Sequence, residues 1–300
     1  MRRTRCAMDV RAADALFNGS VIALVATAAT VVLDLFGFFN VAVAASFVLG
    51  SGAAFAFAAA NAPEWQWVGA GALVGLVGGA AIDRLALDPL RRRGRTAAML
   101  PASIGATLVI YGLSRAVFFP GVFKVQHVVD LSRVATVGRF TFTELQAFAV
   151  IATIVCCALL DFVVRRTRFG NGVRAACENP LAAQLMGMRI DLVPAAAMAL
   201  TSALASGAGA LYTAHAAVPI SAGIPPFLAL SALAVVAIAP VGSIGGACGV
   251  AYALSLAGAL LNAYFPSLPA YAMPCMLLAL IAAGLAWRQT HASAAGAVET

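Results

Sequence analysis

Residues 165–191 read RRTRFGNGVRAACENPLAAQLMGMRID and form a long polar interruption in the second half of the chain. Hydrophobic runs lie on both sides, and consecutive helices of a bundle need only about 2–8 connecting residues. This interruption has 27 residues and carries five arginines. Its middle, from Ala175 to Met186, has the mixture of apolar and polar residues that is typical of a short surface helix. We predict that this segment docks against another protein in the cytoplasm.

The composition indicates an integral membrane protein. The chain is 62% hydrophobic and only 10% charged, whereas soluble proteins have about 25% charged residues. A signal peptide does not explain this composition, because apolar runs recur as far as residue 287. The net charge of +7 is carried almost wholly by arginine, since Lys124 is the only lysine. Most arginines lie between apolar runs, which indicates membrane topology and not nucleic-acid binding.

Apolar runs that approach the length of a membrane span, about 20 residues, recur along the chain. We therefore predict an all-α integral membrane protein with about eight transmembrane helices plus a re-entrant or broken segment. This transmembrane domain comprises residues 15–287, with a basic leader at 1–14 and a C-terminal tail at 288–300. The candidate spans are 15–33, 41–60, 66–83, 98–118, 145–164, 192–212, 226–240, 246–264 and 270–287.

The placement of arginine predicts the orientation of the spans. Loops 84–97 and 165–191 each carry five arginines, and loops rich in arginine stay in the cytoplasm. Two spans separate these loops, so segment 119–144 between the spans is predicted to lie outside. The basic leader also favours a cytoplasmic N-terminus. The N-terminus and both arginine-rich loops can all be cytoplasmic only if one early span is an incomplete crossing.

The incomplete span is predicted at residues 34–60. Asp34, Gly37 and Asn40 interrupt the apolar run at its start, and non-helical backbone at membrane depth survives only where protein or a wet cavity surrounds it. A re-entrant or broken segment here leaves eight complete spans. Both termini are then predicted to be cytoplasmic.

Glycines at every fourth position mark helix faces that allow close packing. Gly71, Gly75 and Gly79 form such a series in one span, and Gly245 and Gly249 form a shorter one later. Either series could belong to an interface between subunits or to contacts within one subunit. The spacing alone does not decide between these two possibilities.

Motifs for enzymatic chemistry are absent from the sequence. No GxxxxGK[ST] pattern is present, so the chain cannot supply its own P-loop ATPase site. The three histidines lie far apart and the cysteines form no CxxC pair, so we predict no metal site and no cofactor. Asp161 lies four residues before Arg165, a spacing that predicts an ion pair along one helix.

Uncharged polar residues and a glycine-rich turn interrupt the apolar runs. Such groups can line a translocation path without the cost of burying a charge, although they can also form hydrogen bonds between helices. We predict that a translocation path is lined by Asn18, Asn40, Ser103, Thr107, Gly242 and Ser243.

Several short motifs occur together in a characteristic order. They are Phe17-Asn18-Gly19, Asp83-Arg84 followed by Pro89-Leu90-Arg91, Ser103-Ile104-Gly105, Gly170 through Arg174-Ala175 to Ala182 and Gly187, and Gly242-Ser243-Ile244-Gly245-Gly246. In these motifs the chain resembles the permeases of branched-chain amino acid ABC importers, of the shorter, LivH-like type. The resemblance covers roughly residues 15–287.

The chain departs from the pattern of this family at three places. Val41–Ala45 replaces a run that usually contains a polar His or Gln and a Gly. Ala239-Pro240 replaces a Gly-Gly pair, and Asp88 stands where Arg is usual. The first two changes lie where a translocation path is expected, so they bear on the substrate more than on the fold.

The resemblance implies an ABC importer permease fold in the inner membrane of a bacterium. It implies transport of small amino acids, with branched-chain amino acids foremost, driven by ATP hydrolysis in separate subunits. The implied partners are a second permease subunit, two cytoplasmic ATP-binding subunits, an extracytoplasmic substrate-binding protein and membrane lipid.

Loop 165–191 would then be the element that couples the permease to the ATPase. The residues expected to contact the ATPase are Arg174, Ala175, Glu178, Asn179, Ala182, Leu185 and Gly187. A secondary transporter of another family is the main alternative, and it predicts carboxylates or cation sites at broken helices. An integral-membrane enzyme is a third possibility, for which the sequence offers no catalytic constellation.

Overall fold

The computed structural model describes residues 2–36, 40–59, 64–94, 98–118, 134–137, 140–167, 170, 172, 192–216, 224–239, 243–264 and 275–276. Most of these residues are helical, as predicted. The helices are α1 (Arg2–Phe36), α2 (Ala42–Ala59), α3 (Glu64–Ile82), α4 (Asp88–Arg92), α5 (Met99–Phe118), α6 (Glu144–Arg166), α7 (Leu192–Ala216), α8 (Ile224–Ile238) and α9 (Ile244–Tyr264). A π-helical turn, Asp83–Leu87, joins α3 to α4.

Five helical stretches in this part of the chain are long and apolar enough to cross a membrane. They are Ala13–Asp34, Gln66–Arg92, Glu144–Arg166, Val193–His215 and Ile244–Tyr264. Helices α2, α5 and α8 are also apolar and coincide with predicted spans. The last predicted span, 270–287, and the tail, 288–300, lie outside the described residues apart from Cys275 and Met276.

One element of the fold was not predicted from the sequence. Strands β1 (Val134–Val137) and β2 (Phe140–Thr143) pair in antiparallel register within segment 119–144. Their β-branched and aromatic residues favour strands. Helix α6 begins directly after β2, and the amide of Thr143 donates to Oε1 of Gln146 at 3.1 Å, which fixes the first turn of α6.

Helix α1 occupies the centre of the bundle and packs against α6, α7, α8 and α9. Its side chains are buried almost all round from Val21 to Val32, as expected for an apolar helix enclosed by others. The outer helices instead expose apolar side chains. Helix α6, for example, exposes Ile151, Val155 and Leu159, the pattern of a surface that faces lipid.

The helices alternate in direction, which defines two ends of the bundle. The start of α1 meets the start of α6 through Asp14 and Gln146. This end of the bundle also contains β1 and β2 and is called the hairpin end. The end of α1 meets the end of α6 and the start of α9, where Val31, Leu160 and Ile244 form one buried cluster. This opposite end contains the arginines that follow α3 and those that end α6, and it is called the arginine end.

The predicted interruption between the first two apolar runs is present, but the helix after it is continuous. Helix α1 ends at Phe36, Asn40 is not helical, and α2 follows with 18 residues, about 27 Å of helix. Helix α2 runs from the arginine end, near Met198 at the start of α7, to the hairpin end, where Ala58 packs beside Ala214 near the end of α7.

This path of α2 corrects one expectation. The start of α1 lies at the hairpin end, opposite the arginines that follow α3, whereas the sequence analysis expected both on one side. The arginine-based argument required α2 to be an incomplete crossing; α2 is continuous from Ala42 to Ala59 but shorter than the five described stretches that are long enough to cross a membrane. The basic leader is also part of α1, which begins at Arg2.

The first glycine series packs within the chain. A Cβ added to Gly75 would lie 2.2 Å from Cβ of Ser206, and one added to Gly79 would lie 2.3 Å from Cβ of Ser202. Both serines belong to α7, so the absence of side chains on this face lets α3 and α7 approach closely. By contrast, a Cβ on Gly245 or Gly249 would meet no described atom within 4 Å.

Candidate functional site

The candidate site forms where α1 gives way to α2. Asn40 is 1% exposed, and its Oδ1 accepts a hydrogen bond from the amide of Ala42 at 2.9 Å, which caps the start of α2. Its Nδ2 lies 3.5 Å from Sδ of Met198, a weak acceptor. A buried amide with one good partner and one poor partner retains hydrogen-bonding capacity that a passing polar group could use.

The start of α5 meets this interruption through Ser103, one of the predicted path residues. Ser103 is fully buried, and its Oγ accepts from the amide of Val41 at 3.4 Å and donates to the carbonyl of Leu100 at 2.8 Å. Thr107 is half-buried and donates to the carbonyl of Ser103 at 2.8 Å. One backbone amide of the interruption, that of Val41, is thus bonded by a side chain of α5.

A small cavity lies beside the interruption. Its volume is about 10 Å³, room for about one water-sized group. Among the described lining residues, Asn40 supplies the one polar side chain, and the others are apolar. The lining residues are Val25, Ala29, Asn40, Val41, Val43, Ala44 and Ala232. Three of these belong to Val41–Ala45, where the chain departs from the pattern of the family it resembles, and this departure makes the lining more apolar.

The other predicted path residues do not join this cluster. Asn18 is exposed and lies towards the hairpin end of α1, where the neighbouring Ser20 forms a 2.9 Å hydrogen bond with Oη of Tyr252. Asn18 and Asn40 are therefore separated by about half of the length of α1. Ser243 precedes α9 at the arginine end, and its buried Oγ has no hydrogen-bond partner among the described residues. Gly242 lies outside the described residues.

A charged network at the arginine end was not predicted from the sequence. Both carboxylate oxygens of Asp83 accept from Arg91, at 3.2 and 3.3 Å. Arg91 also donates to Asp88 at 3.0 Å, and Asp88 accepts from Arg92 at 2.7 Å. Asp83 and Arg91 are eight positions apart, about 12 Å along a regular α-helix, so no helical pairing rule indicates their contact. The intervening π-helical turn brings them together.

The comparison with known proteins decides the family. Residues 11–284 match the family described as the permease component of the branched-chain amino acid transport system. The chain belongs to this family. It is an ABC transporter permease with several membrane-crossing helices, and the predicted fold class and resemblance are confirmed.

The permease resembles individual proteins to different degrees. It is 28% identical over 296 residues to the high-affinity branched-chain amino acid transport system permease protein LivH of Salmonella typhimurium, covering 91% of this chain and 94% of LivH. It is 25% identical over 205 residues to the guanosine ABC transporter permease protein NupQ of Bacillus subtilis, covering 65% of this chain and 64% of NupQ. The fold resembles an inward-facing conformation of a putative metal-chelate type ABC transporter, with a TM-score of 0.53, 13% identity and coverage of 92% and 86%.

The predicted ATPase contacts of the permease, Arg174, Ala175, Glu178, Asn179, Ala182, Leu185 and Gly187, lie outside the described residues. The helices that flank them are described. Helix α6 ends at Arg166 and α7 begins at Leu192, both at the arginine end. The predicted ion pair at the end of α6 is confirmed, with Nε of Arg165 at 2.7 Å from Oδ1 of Asp161.

A second polar cluster of the permease lies at the hairpin end. Oδ1 of Asp14 accepts from Nε2 of Gln146 at 2.9 Å and lies 3.7 Å from Nε2 of His215. The ring of His215 in turn lies 4.0 Å, centroid to centroid, from the ring of Phe17. These contacts tie α1 to α6 and α7. They join residues up to 201 positions apart, so only the fold reveals them.

Proposed function

We propose that this chain is the membrane-spanning permease subunit of an inner-membrane ABC importer for small amino acids, with branched-chain amino acids foremost. ATP hydrolysis would take place in separate subunits. The family match over residues 11–284 carries this proposal. The name of the LivH relative, which covers 91% of this chain, supports the branched-chain substrate.

The complete importer would contain further proteins. We propose a second permease subunit, two cytoplasmic ATP-binding subunits and an extracytoplasmic substrate-binding protein, with lipid around the apolar faces. The 165–191 loop would contact an ATP-binding subunit, because it joins α6 to α7 and is far longer than a bundle connection requires.

Purification of the native complex tests this assembly. The chain, tagged at its C-terminus and extracted in a mild detergent, should co-purify with nucleotide-binding subunits and a second permease. An unrelated membrane protein with the same tag, purified in the same way, serves as the control. Recovery of the chain alone, from membranes in which the ATP-binding subunits are present, would contradict the proposal.

The orientation of the bundle gives a further prediction. With the arginine end in the cytoplasm, position 179 should react with an impermeant maleimide only in inside-out vesicles. Position 136 in β1 should react in right-side-out vesicles. Single cysteines at these positions in a cysteine-free background provide the measurement. Reaction of position 179 from the outside would refute both the orientation and the proposed ATPase contact.

The path along the interruption gives another prediction. We propose that Asn40, Ser103 and Thr107 line the path together with Gly242 and Ser243, and that Asn18 faces it from the hairpin end. Replacing Ser103 with leucine should reduce uptake at least about tenfold, or about 1.4 kcal/mol of barrier, because the larger side chain enters the space beside Asn40 and Val41.

The matched variant Ser103→Ala removes only the hydroxyl and should retain most of the uptake, since the bond to Val41 is long at 3.4 Å. The amount of assembled complex is measured for both variants by size-exclusion chromatography. Wild-type uptake by an assembled Ser103→Leu complex would show that Ser103 does not line the path.

A further inference from the structure

The charged network after α3 contains an ion pair between a buried carboxylate and a partly exposed guanidinium. The side chain of Asp83 is 1% exposed, and that of Arg91 is 25% exposed. Arg91 contacts both carboxylate oxygens of Asp83, an arrangement that fixes direction as well as distance. Asp88 holds Arg91 from the other side at 3.0 Å. The Arg91 guanidinium is therefore held between two carboxylates.

This ion pair closes the π-helical turn. The amide of Asp88 donates to the carbonyl of Asp83, the five-residue spacing of a π-helix. The turn contacts both α5 and α7. Its Leu87 is fully buried in one cluster with Met99 at the start of α5 and Met198 near the start of α7. The turn thus lies between α7, which follows the 165–191 loop, and α5, which carries Ser103.

Stability is a weak explanation for such a pair. Taking both charges out of water costs about as much as their attraction returns, and buried pairs can often be replaced by apolar residues without loss. A bidentate pair does fix the geometry of the groups that carry it. Single π-helical turns are also frequent at functional sites.

The contacts beyond the turn lead to the candidate site. Met198 lies seven residues into α7, and its Sδ is 3.5 Å from Nδ2 of Asn40. The next residue, Val41, donates its amide to Oγ of Ser103 at 3.4 Å. The start of α7, the interruption after α1 and the start of α5 therefore form one continuous set of contacts, with the π-helical turn packed against two of its three members.

We infer that the Asp83–Arg91 pair is a positioning element that holds the start of α5 in register with the start of α7. Through this register, a displacement of the start of α7 moves Ser103 and the interruption at Asn40 together. The inference rests on the proposed function, since it assigns the pair a role in coupling ATP hydrolysis to transport. Asp83 and Arg91 are positioning residues and do not contact substrate in this role.

The reconstituted full complex, with its ATP-binding subunits and loaded binding protein, provides the test. The variants are Asp83→Asn, which removes the buried negative charge, and Arg91→Lys, which keeps the positive charge but cannot bind both oxygens. The exposed pair at the end of α6 supplies the control, Asp161→Asn. For each assembled complex, uptake and ATP hydrolysis are measured in the same proteoliposomes.

The number of ATP molecules hydrolysed per molecule transported is the deciding quantity. We expect this ratio to rise at least about tenfold in Asp83→Asn, to rise less in Arg91→Lys, and to stay at the wild-type value in Asp161→Asn. A purely structural role would lower the yield of complex and leave the ratio unchanged. An unchanged ratio in an active Asp83→Asn complex would overturn this inference but not the proposed function. Absence of ATP-dependent uptake by the wild-type complex would overturn the proposed function, and the inference with it.

Discussion

Replacing Gly75 with alanine should remove most of the folded permease from the membrane. The added Cβ would lie 2.2 Å from Cβ of Ser206 and 2.5 Å from the carbonyl oxygen of Ser202. A backbone atom cannot move aside by itself, so α3 and α7 would have to separate along their contact. Overpacking of this kind costs about 1–3 kcal/mol or more. The yield of monodisperse protein and its thermal midpoint, measured in detergent, report the loss.

Gly69→Ala in the same helix is the matched control. A Cβ at position 69 would meet no described atom within 4 Å, and alanine favours a helix over glycine by about 1 kcal/mol. The control should therefore be as stable as the wild type or slightly more stable. Equal yields for Gly75→Ala and Gly69→Ala would contradict the close contact between α3 and α7.

The helices of this fold are predictable from sequence because lipid imposes a simple requirement. Each crossing needs about 20 apolar residues with internally satisfied backbone groups, and the candidate spans that lie within the described residues accordingly coincide with helices. The meeting of Ser103 with the interruption at Asn40 was also predictable in outline. Polar residues in apolar runs are satisfied by one another when the helices pack.

The direction of the first helices was harder to predict. The argument from arginine treated the leader and the loops as equal topological signals. Asp34, Gly37 and Asn40 were then read as a sign of an incomplete span. In the structure Asn40 caps a continuous helix of 18 residues, with its side chain accepting from the amide of Ala42. A polar residue at a helix start and one at a re-entrant turn look alike in sequence.

Pairings across the fold were beyond sequence analysis. The contact of Asp83 with Arg91 depends on a π-helical turn, and no residue pattern specifies such a turn. The contact of Asp14 with Gln146 and His215 joins three helices far apart in the chain. Each of these contacts involves a charged group for which the sequence allows many possible partners. Only the packing of the helices determines which partner is used.

Replacing Ala182 with arginine should separate the permease from its ATPase. We propose that the 175–186 segment is a helix whose apolar residues Ala182, Leu185 and Met186 enter a cleft of the ATP-binding subunit. A large charged side chain at position 182 would be buried without a partner. We expect a loss of at least about 2 kcal/mol, roughly 30-fold in affinity, seen as loss of ATPase subunits from the purified complex and loss of uptake.

Gln184→Arg is the control for this change. Position 184 is two residues away and faces the opposite side of a helix, where an added charge remains in water and typically costs within about 0.5 kcal/mol. Insertion into the membrane should be normal for both variants. If Ala182→Arg binds the ATPase and supports uptake as well as Gln184→Arg does, the segment is not a docking helix.

Uptake by proteoliposomes tests the central claim most directly. The vesicles contain this chain, its permease partner and the ATP-binding subunits, with ATP enclosed and the binding protein added outside. We predict that radiolabelled leucine accumulates inside, and that accumulation stops when ATP is replaced by a non-hydrolysable analogue. Leucine accumulation by the chain alone, driven by a proton or sodium gradient in vesicles without ATP-binding subunits, would contradict the account.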